Sequence, residues 1–253
     1  MRILITNDDG IHAPGLIACE KIARTMSDDV WIVAPETDQS GVSHSLSLND
    51  PLRLREIDDR RFAVKGTPTD CVIMGMRHIL KDVPDLVISG VNRGRNAAED
   101  VLYSGTVAGA MEAVLLGVPA FALSQAYTFT TKHAPRWETA IAHAPGIIDK
   151  VLKEGMPKNV LVNVNFPDCE PDEVEGIGVS MQGKRNQDLL RIEARHDGRG
   201  NPYFWIAFAR GAQMDASPGS DLAALDGKRI AVTPLRLDLT DEPFMTRLAE
   251  VLG

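Results

Sequence analysis

The chain has 253 residues, 44% hydrophobic and 25% charged, enough for one large domain around a substantial core. A formal charge of -8 and a pI near 5.3 exclude a general binder of nucleic-acid polymers, which needs a basic surface to release counterions. The cysteines Cys19, Cys71 and Cys169, odd in number and without a CxxC pair, argue against a disulfide framework or a structural zinc site and for a reducing compartment.

A small anionic substrate stays compatible with the acidic balance, because a metal ion or a ring of backbone N–H groups reverses the local field. Met1 leads directly into the strand-like run Arg2–Thr6, so no signal peptide is expected. No apolar run is long enough to span a bilayer, so the expected location is the cytoplasm, away from membranes.

The first apolar run ends at Asn7-Asp8-Asp9-Gly10. A helix follows, with Leu16, Ile17, Ile22, Ala23 and Met26 at helical spacing. Val30–Ala34 reads as a second buried strand, and Leu52–Ile57 with Arg61–Lys65 as a hairpin on the rim. Strands are expected over Asp85–Ser89, Pro119–Ser124 and Val160–Asn165, separated by helices near Asp70–Leu80, Thr106–Leu116 and Arg136–Lys153. Pro145 predicts a kink or two shorter helices in the last of these.

Buried strands linked by helices predict an α/β fold with a Rossmann-like, doubly wound, mostly parallel sheet. The core of this single domain covers residues 1–168, with a return strand near 229–235 and a helix near 242–252. After Phe166-Pro167 the texture changes. Gly176–Met181, Leu189–Arg195 and Tyr203–Ala209 read as strands of a projecting antiparallel arm over about 174–210. Such an arm has open edges, and its Phe204, Trp205 and Phe208 predict pairing with a second copy, the alternative being an arm folded back on its own domain.

Ligands of open α/β sheets collect beyond the carboxyl ends of the strands. There, Asn7-Asp8-Asp9-Gly10 reads equally as a plain turn or as a metal site. Adjacent carboxylates repel unless a cation joins them, and an oxygen set suits a hard ion such as Mg²⁺ or Mn²⁺. After the second strand, Ser40 offers a neutral oxygen to such a metal, and Ser43 or His44 faces a phosphate, unless the segment is only a polar loop. In Gly90-Val91-Asn92-Arg93-Gly94-Arg95-Asn96, Asn92 offers a carbonyl oxygen and Arg93 or Arg95 a countercharge. A solvated glycine-rich loop is the plainer reading.

Tyr103-Ser104-Gly105-Thr106 opens a helix, where Ser104 or Thr106 caps it and its free N–H groups form an anion site. Thr67, Pro68 and Asp70 read as a structural cap. Gly178–Lys184 matches a P-loop spacing, but Arg185 stands where Ser or Thr is required, so the match is set aside. There is no G-x-G-x-x-G after the first strand, no G-x-S-x-G and no H-E-x-x-H.

Taken together, Ile5-Thr6-Asn7-Asp8-Asp9-Gly10 with Ala13-Pro14-Gly15, Ala34-Pro35 with Gln39-Ser40-Gly41, and Gly66-Thr67-Pro68-x-Asp70-Cys71 resemble the SurE (survival protein E) nucleotidases. Ser89-Gly90-x-Asn92-x-Gly94-x-Asn96 and Tyr103-Ser104-Gly105-Thr106-Val107-Ala108 extend the resemblance in the same order. It implies an acid-phosphatase-like phosphoric monoester hydrolase acting on nucleoside 5′- or 3′-monophosphates, with some members trimming polyphosphate. It further implies one divalent cation on Asp8, Asp9, Ser40 and Asn92, and phosphate binding by Asn96 and Ser104-Gly105-Thr106. It also implies a homodimer or homotetramer joined through C-terminal arms.

Asp8, Asp9 and Asn92 then form the catalytic set, with a metal-activated water attacking in line. Covalent catalysis by Asp8 or Asp9 is the enzymatic alternative, and a non-catalytic nucleotide-sensing stress protein is the other.

Overall fold

The computed structural model describes residues 1–185, 190–208 and 216–253. The first apolar run forms β1 (Arg2–Thr6), and alternation sends its side chains to both faces of the sheet. Ile3 and Ile5 join one core with Leu16 and Ile22 of α1 (Pro14–Arg24), whereas Leu4 joins the opposite core. A strand buried on both faces belongs in the middle of a sheet, and β1 lies there.

The chain continues through β2 (Asp29–Pro35) and the hairpin of β3 (Arg53–Asp58) and β4 (Arg61–Lys65) to α2 (Pro68–Met74). Thr67 caps α2 as expected: its hydroxyl accepts from Asp70 N–H, and the Asp70 carboxylate accepts from Thr67 N–H. A single π turn, Gly75–Ile79, continues the helix. Then follow β5 (Leu86–Arg93), α3 (Gly105–Leu115), β6 (Ala120–Gln125), α4 (Trp137–Glu154) and β7 (Val160–Phe166). β8 (Ile177–Val179), β9 (Leu190–His196), β10 (Pro202–Phe208), α5 (Asp221–Asp226), β11 (Ile230–Arg236) and α6 (Glu242–Leu252) complete the described elements.

The main sheet runs β3-β4-β2-β1-β5-β6-β7-β11-β8. It is mostly parallel; β3 with β4 and β11 with β7 are the antiparallel pairs. The α/β, doubly wound expectation holds, and β11 is the return strand. Helices α1 and α4 cover one face, α2 and α3 the other. The chain leaves β1 towards β2 and β4, then crosses back to β5 on the other side of β1. The crevice between β1 and β5 is therefore the switch point of the sheet, where its carboxyl ends open for a ligand.

One expectation changes and another is narrowed. Of the kink or division expected at Pro145, the division does not occur: α4 runs unbroken over residues 137–154. Burial of Ile147 and Ile148 contributes about 1.5–3 kcal/mol each. That offsets the cost of an interior proline, about 3 kcal/mol. The segment 176–181 is not part of the arm. β8 pairs in parallel with β11 at the edge of the main sheet, while β9 and β10 alone form the separate antiparallel ribbon. Local sequence marks a strand but not its partner, and the free edge of β11 supplies one. Leu189 and Ala209, the expected limits of two arm strands, lie outside the described residues.

Candidate functional site

Thr6 pairs with Ser89, so the residues that follow β1 and those that end β5 emerge side by side. Asn7 is buried and donates from Nδ2 to the Gly10 carbonyl at 2.9 Å, which closes the turn around Asp8 and Asp9. The Asp8 carbonyl accepts from Gln39 N–H at 2.8 Å, tying in the loop after β2. That loop carries Ser40, whose N–H donates to the Asp38 carboxylate at 2.7 Å. Asp8, Ser40, Asn92, Asn96 and Ser104, all anticipated, line one cavity of about 300 Å³. Asp9 lines an adjoining cavity that shares Ser40 with the first.

Three of the donors, Asp8, Asp9 and Asn92, are held by contacts that leave an oxygen for a ligand. Asp8 Oδ1 accepts from the Thr106 hydroxyl at 2.5 Å. Asp9 Oδ2 accepts from Arg93 N–H at 3.1 Å. Asn92 donates from Nδ2 to the Gly94 carbonyl at 2.8 Å, which leaves Oδ1 to accept or to coordinate.

Electrostatics follow from depth. Burial, with the Asp9 and Asp38 charges adding to it, pushes Asp8 up to about 7 although the Thr106 hydrogen bond favours its ionised form. Burial also raises Asp9, against the Arg93 hydrogen bond. Burial holds both carboxylates back from ionisation, and a hard divalent cation beside them and two neutral oxygens would supply the countercharge that favours their ionised form. No group of three or more His, Cys, Asp or Glu that could hold a metal occurs among the described residues. Any metal set at this place must therefore mix carboxylates with neutral oxygens, as Asp8, Asp9, Ser40 and Asn92 do.

Ser104 is the N-cap of α3, its hydroxyl accepting from Val107 N–H at 3.0 Å. The N–H groups of Gly105 and Thr106 start the helix and have no i−4 acceptor within it. A side chain at 105 would not fit: a Cβ there would lie 2.8 Å from Asp8 Cβ and 3.1 Å from its Oδ2. The helix start can approach the aspartate this closely only because residue 105 is glycine.

Other residues differ from the sequence reading. The Thr106 side chain is fully buried and spends its hydroxyl on Asp8, so only its backbone remains for a phosphate. Ser43 donates to the Leu102 carbonyl and His44 meets Glu112 of α3 at 2.9 Å; both line a different groove, away from Asp8. Asn96 is more than a lining residue. Asn165 Oδ1 accepts its N–H at 2.7 Å, and Asn163 and Asn165 both donate to its carbonyl, at 2.8 and 3.1 Å. Its own Nδ2 donates to Ser124 Oγ at 2.9 Å.

Sequence reasoning missed Asn163 and Asn165. Their signal is two asparagines on one face of the apolar run Val160–Phe166, where buried amides require partners. It also missed Arg185, which reaches the cavity and pairs with Asp100, with its N–H on Glu99. Nothing local marks Arg185, since its partners lie 85 or more residues earlier in the chain.

The family model described as survival protein SurE matches residues 3–188. A protein of Rhodopseudomonas palustris (strain BisB5) named 5′-nucleotidase SurE is 68% identical over the full length of both chains. A protein of Methylorubrum extorquens (strain PA1) with the same name is 66% identical over 98% of each. Among solved structures, a SurE protein from Aquifex aeolicus superposes with a TM-score of 0.83 at 39% identity, covering all of both chains.

Proposed function

The chain belongs to the SurE family, and on that premise we propose that it hydrolyses nucleoside monophosphates to nucleoside and phosphate at the Asp8–Asp9 cluster. Its full-length relatives are named nucleotidases, and a phosphoric monoester hydrolase is the reading their identity supports. The observation that carries the site assignment is the meeting of Asp8, Ser40, Asn92 and the start of α3 at the switch point of the sheet. A sensing module needs anion-binding loops but no adjacent carboxylate pair, one buried and one half-buried, beside them.

In this reading Asp8, Asp9, Ser40 and Asn92 hold one divalent cation, Mg²⁺ or Mn²⁺. When bound, the cation neutralises the phosphoryl oxygens and acidifies a water for in-line attack. Thr106 fixes the Asp8 carboxylate through its hydroxyl, and Arg93 N–H fixes Asp9. The N–H groups of Gly105 and Thr106, with Asn96 and the Ser104 cap alongside, bind the equatorial oxygens. The covalent route through Asp8 fits less well, because that carboxylate is only 4% exposed and tied to Thr106.

No helix among the described residues is long and apolar enough to cross a membrane. A homodimer or homotetramer is part of the same proposal. The apolar side chains Phe244, Met245, Leu248, Val251 and Leu252 of α6 are exposed, as are Phe204, Trp205 and Ile206 of β10. Apolar surface gathered on two projecting elements is what a partner covers. Phosphate release from a panel of nucleoside 5′- and 3′-monophosphates, with added Mg²⁺ or Mn²⁺, tests the activity; release from none of them would defeat it.

A further inference from the structure

The cavity containing Asn92 and Ser104 shares Ser40, Arg93 and Tyr127 with a second cavity of about 360 Å³. The two differ in character. The first sets the helix start, two asparagines and three arginines around the carboxylates of Asp8 and Asp100. The second has the carboxylates of Asp9 and Asp38 with a single arginine, and adds Ala13, Pro14 and the Trp137 indole. The surplus of cations and N–H donors in the first suits a phosphate, whereas the apolar wall of the second suits a neutral aromatic group.

We propose that this second cavity takes the nucleoside half of the substrate, with Tyr127 and Trp137 forming the aromatic walls that receive the base. The inference rests on the nucleotidase reading and adds to it the residues that select the leaving group. When the phosphate occupies the first cavity, the ester oxygen must point into a neighbouring space, and the second cavity is contiguous with it through Ser40, Arg93 and Tyr127. A volume of about 360 Å³ lies within the usual range for small-molecule sites. Asp38 Oδ1 is taken by Ser40 N–H, which leaves its other oxygen to accept from a ribose hydroxyl.

The walls are fixed before any ligand arrives. Asp168, its side chain only 9% exposed, accepts from Thr128 N–H at 2.8 Å and from the Thr131 hydroxyl at 2.6 Å. Its other oxygen takes the Arg136 guanidinium at 2.7 Å. Tyr127 precedes Thr128 and Trp137 follows Arg136, so one buried carboxylate ties together the two segments that carry the aromatic rings. Ala126 N–H, bonded to the Phe166 carbonyl at 2.9 Å, anchors the other side of Tyr127. The Trp137 indole lies against Gly15, where a Cβ would come within 3.2 Å of its Cη2. Walls held in this way give a base a stacking surface at little cost in ordering.

Kinetics on AMP and on ribose 5-phosphate, which has the same sugar and phosphate but no base, test the proposal. In Tyr127→Ala, kcat/KM for AMP should fall about tenfold further than for ribose 5-phosphate, the effect of one lost base–aromatic stack. Adenosine should quench tryptophan emission of the parent protein, and Trp137→Phe, which keeps an aromatic ring in place, should lose that quench. Equal losses on the two esters, or a quench that survives in Trp137→Phe, would overturn the assignment. A parent protein that hydrolyses neither ester would instead defeat the nucleotidase reading, and the adenosine titration would still decide the cleft.

Discussion

The Thr106 hydroxyl donates to Asp8 Oδ1 at 2.5 Å, joining the start of α3 to the end of β1 across 98 residues of sequence. Both groups are buried, so the bond both orients the carboxylate and satisfies one of its oxygens. A residue that sequence alone assigns to the phosphate thus also supports the proposed cation site through its hydroxyl.

Thr106→Val keeps the shape of the side chain and removes the hydroxyl. Loss of a contact that orients a metal ligand typically weakens metal affinity by about 10- to 100-fold. Titration calorimetry with Mn²⁺ should show a loss of that order in Thr106→Val and recovery in Thr106→Ser. Unchanged affinity in the valine variant would mean that Asp8 is positioned without Thr106.

Asp8 makes the stability of the metal-free protein depend on pH. Burial first, then the Asp9 and Asp38 charges, raise its folded value to about 7 from an ordinary 3.8. A carboxyl raised on folding binds more protons in the folded state, so its contribution to stability is lost as pH rises through that window. Metal-free wild type should therefore lose more stability between pH 4 and 7 than metal-free Asp8→Asn, which has no such titration. Urea denaturation at both ends of the window measures the difference. Asp8→Asn should stay folded while losing most activity; parallel pH profiles for the two proteins would contradict the buried, raised carboxyl.

Gly105→Ala sets helix propensity against packing. In an exposed helix interior alanine is favoured over glycine by about 1 kcal/mol. Here the new methyl group would lie 2.8 Å from Asp8 Cβ, a separation that real Cβ atoms do not adopt, so something must shift. The variant should be less stable than the parent in thermal melts and should hydrolyse AMP poorly. A more stable, fully active variant would show that the helix start does not need so close an approach.

Much of this was legible in the sequence because its signals are local. The unbroken apolar run Ile3, Leu4 and Ile5 marks a central strand, Thr67 with Asp70 marks a capping box, and Ser104 or Thr106 marks the start of α3, which Ser104 caps. Asp8, Asp9, Ser40 and Asn92 could be singled out because each follows or ends a strand, and a doubly wound sheet gathers such positions. What stayed hidden depends on partners distant in the chain. Neither the Thr106 hydroxyl on Asp8 nor the Asn163–Asn165 clamp on Asn96 can be read from spacing. The pairing of β8 with β11 is of the same kind: a three-residue strand is decided by the edge available to it.

Assembly is open to a direct measurement. Light scattering at low micromolar concentration should give two or more chains of 27.5 kDa each. Leu248→Asp combined with Phe204→Asp, charges placed on the exposed apolar surfaces of α6 and β10, should reduce that mass. A parent protein that runs as a 27.5 kDa monomer and still hydrolyses nucleotides would contradict both the interface and its importance.

Asp8, Asp9, Ser40 and Asn92 are proposed as a divalent-metal site for phosphomonoester hydrolysis. The decisive measurement is phosphate release from AMP by protein stripped of metal, before and after addition of Mg²⁺ or Mn²⁺. Turnover should be negligible in excess EDTA and recover when the metal is restored, as an all-oxygen site for a hard cation requires. Full turnover by metal-free protein in excess EDTA would contradict it.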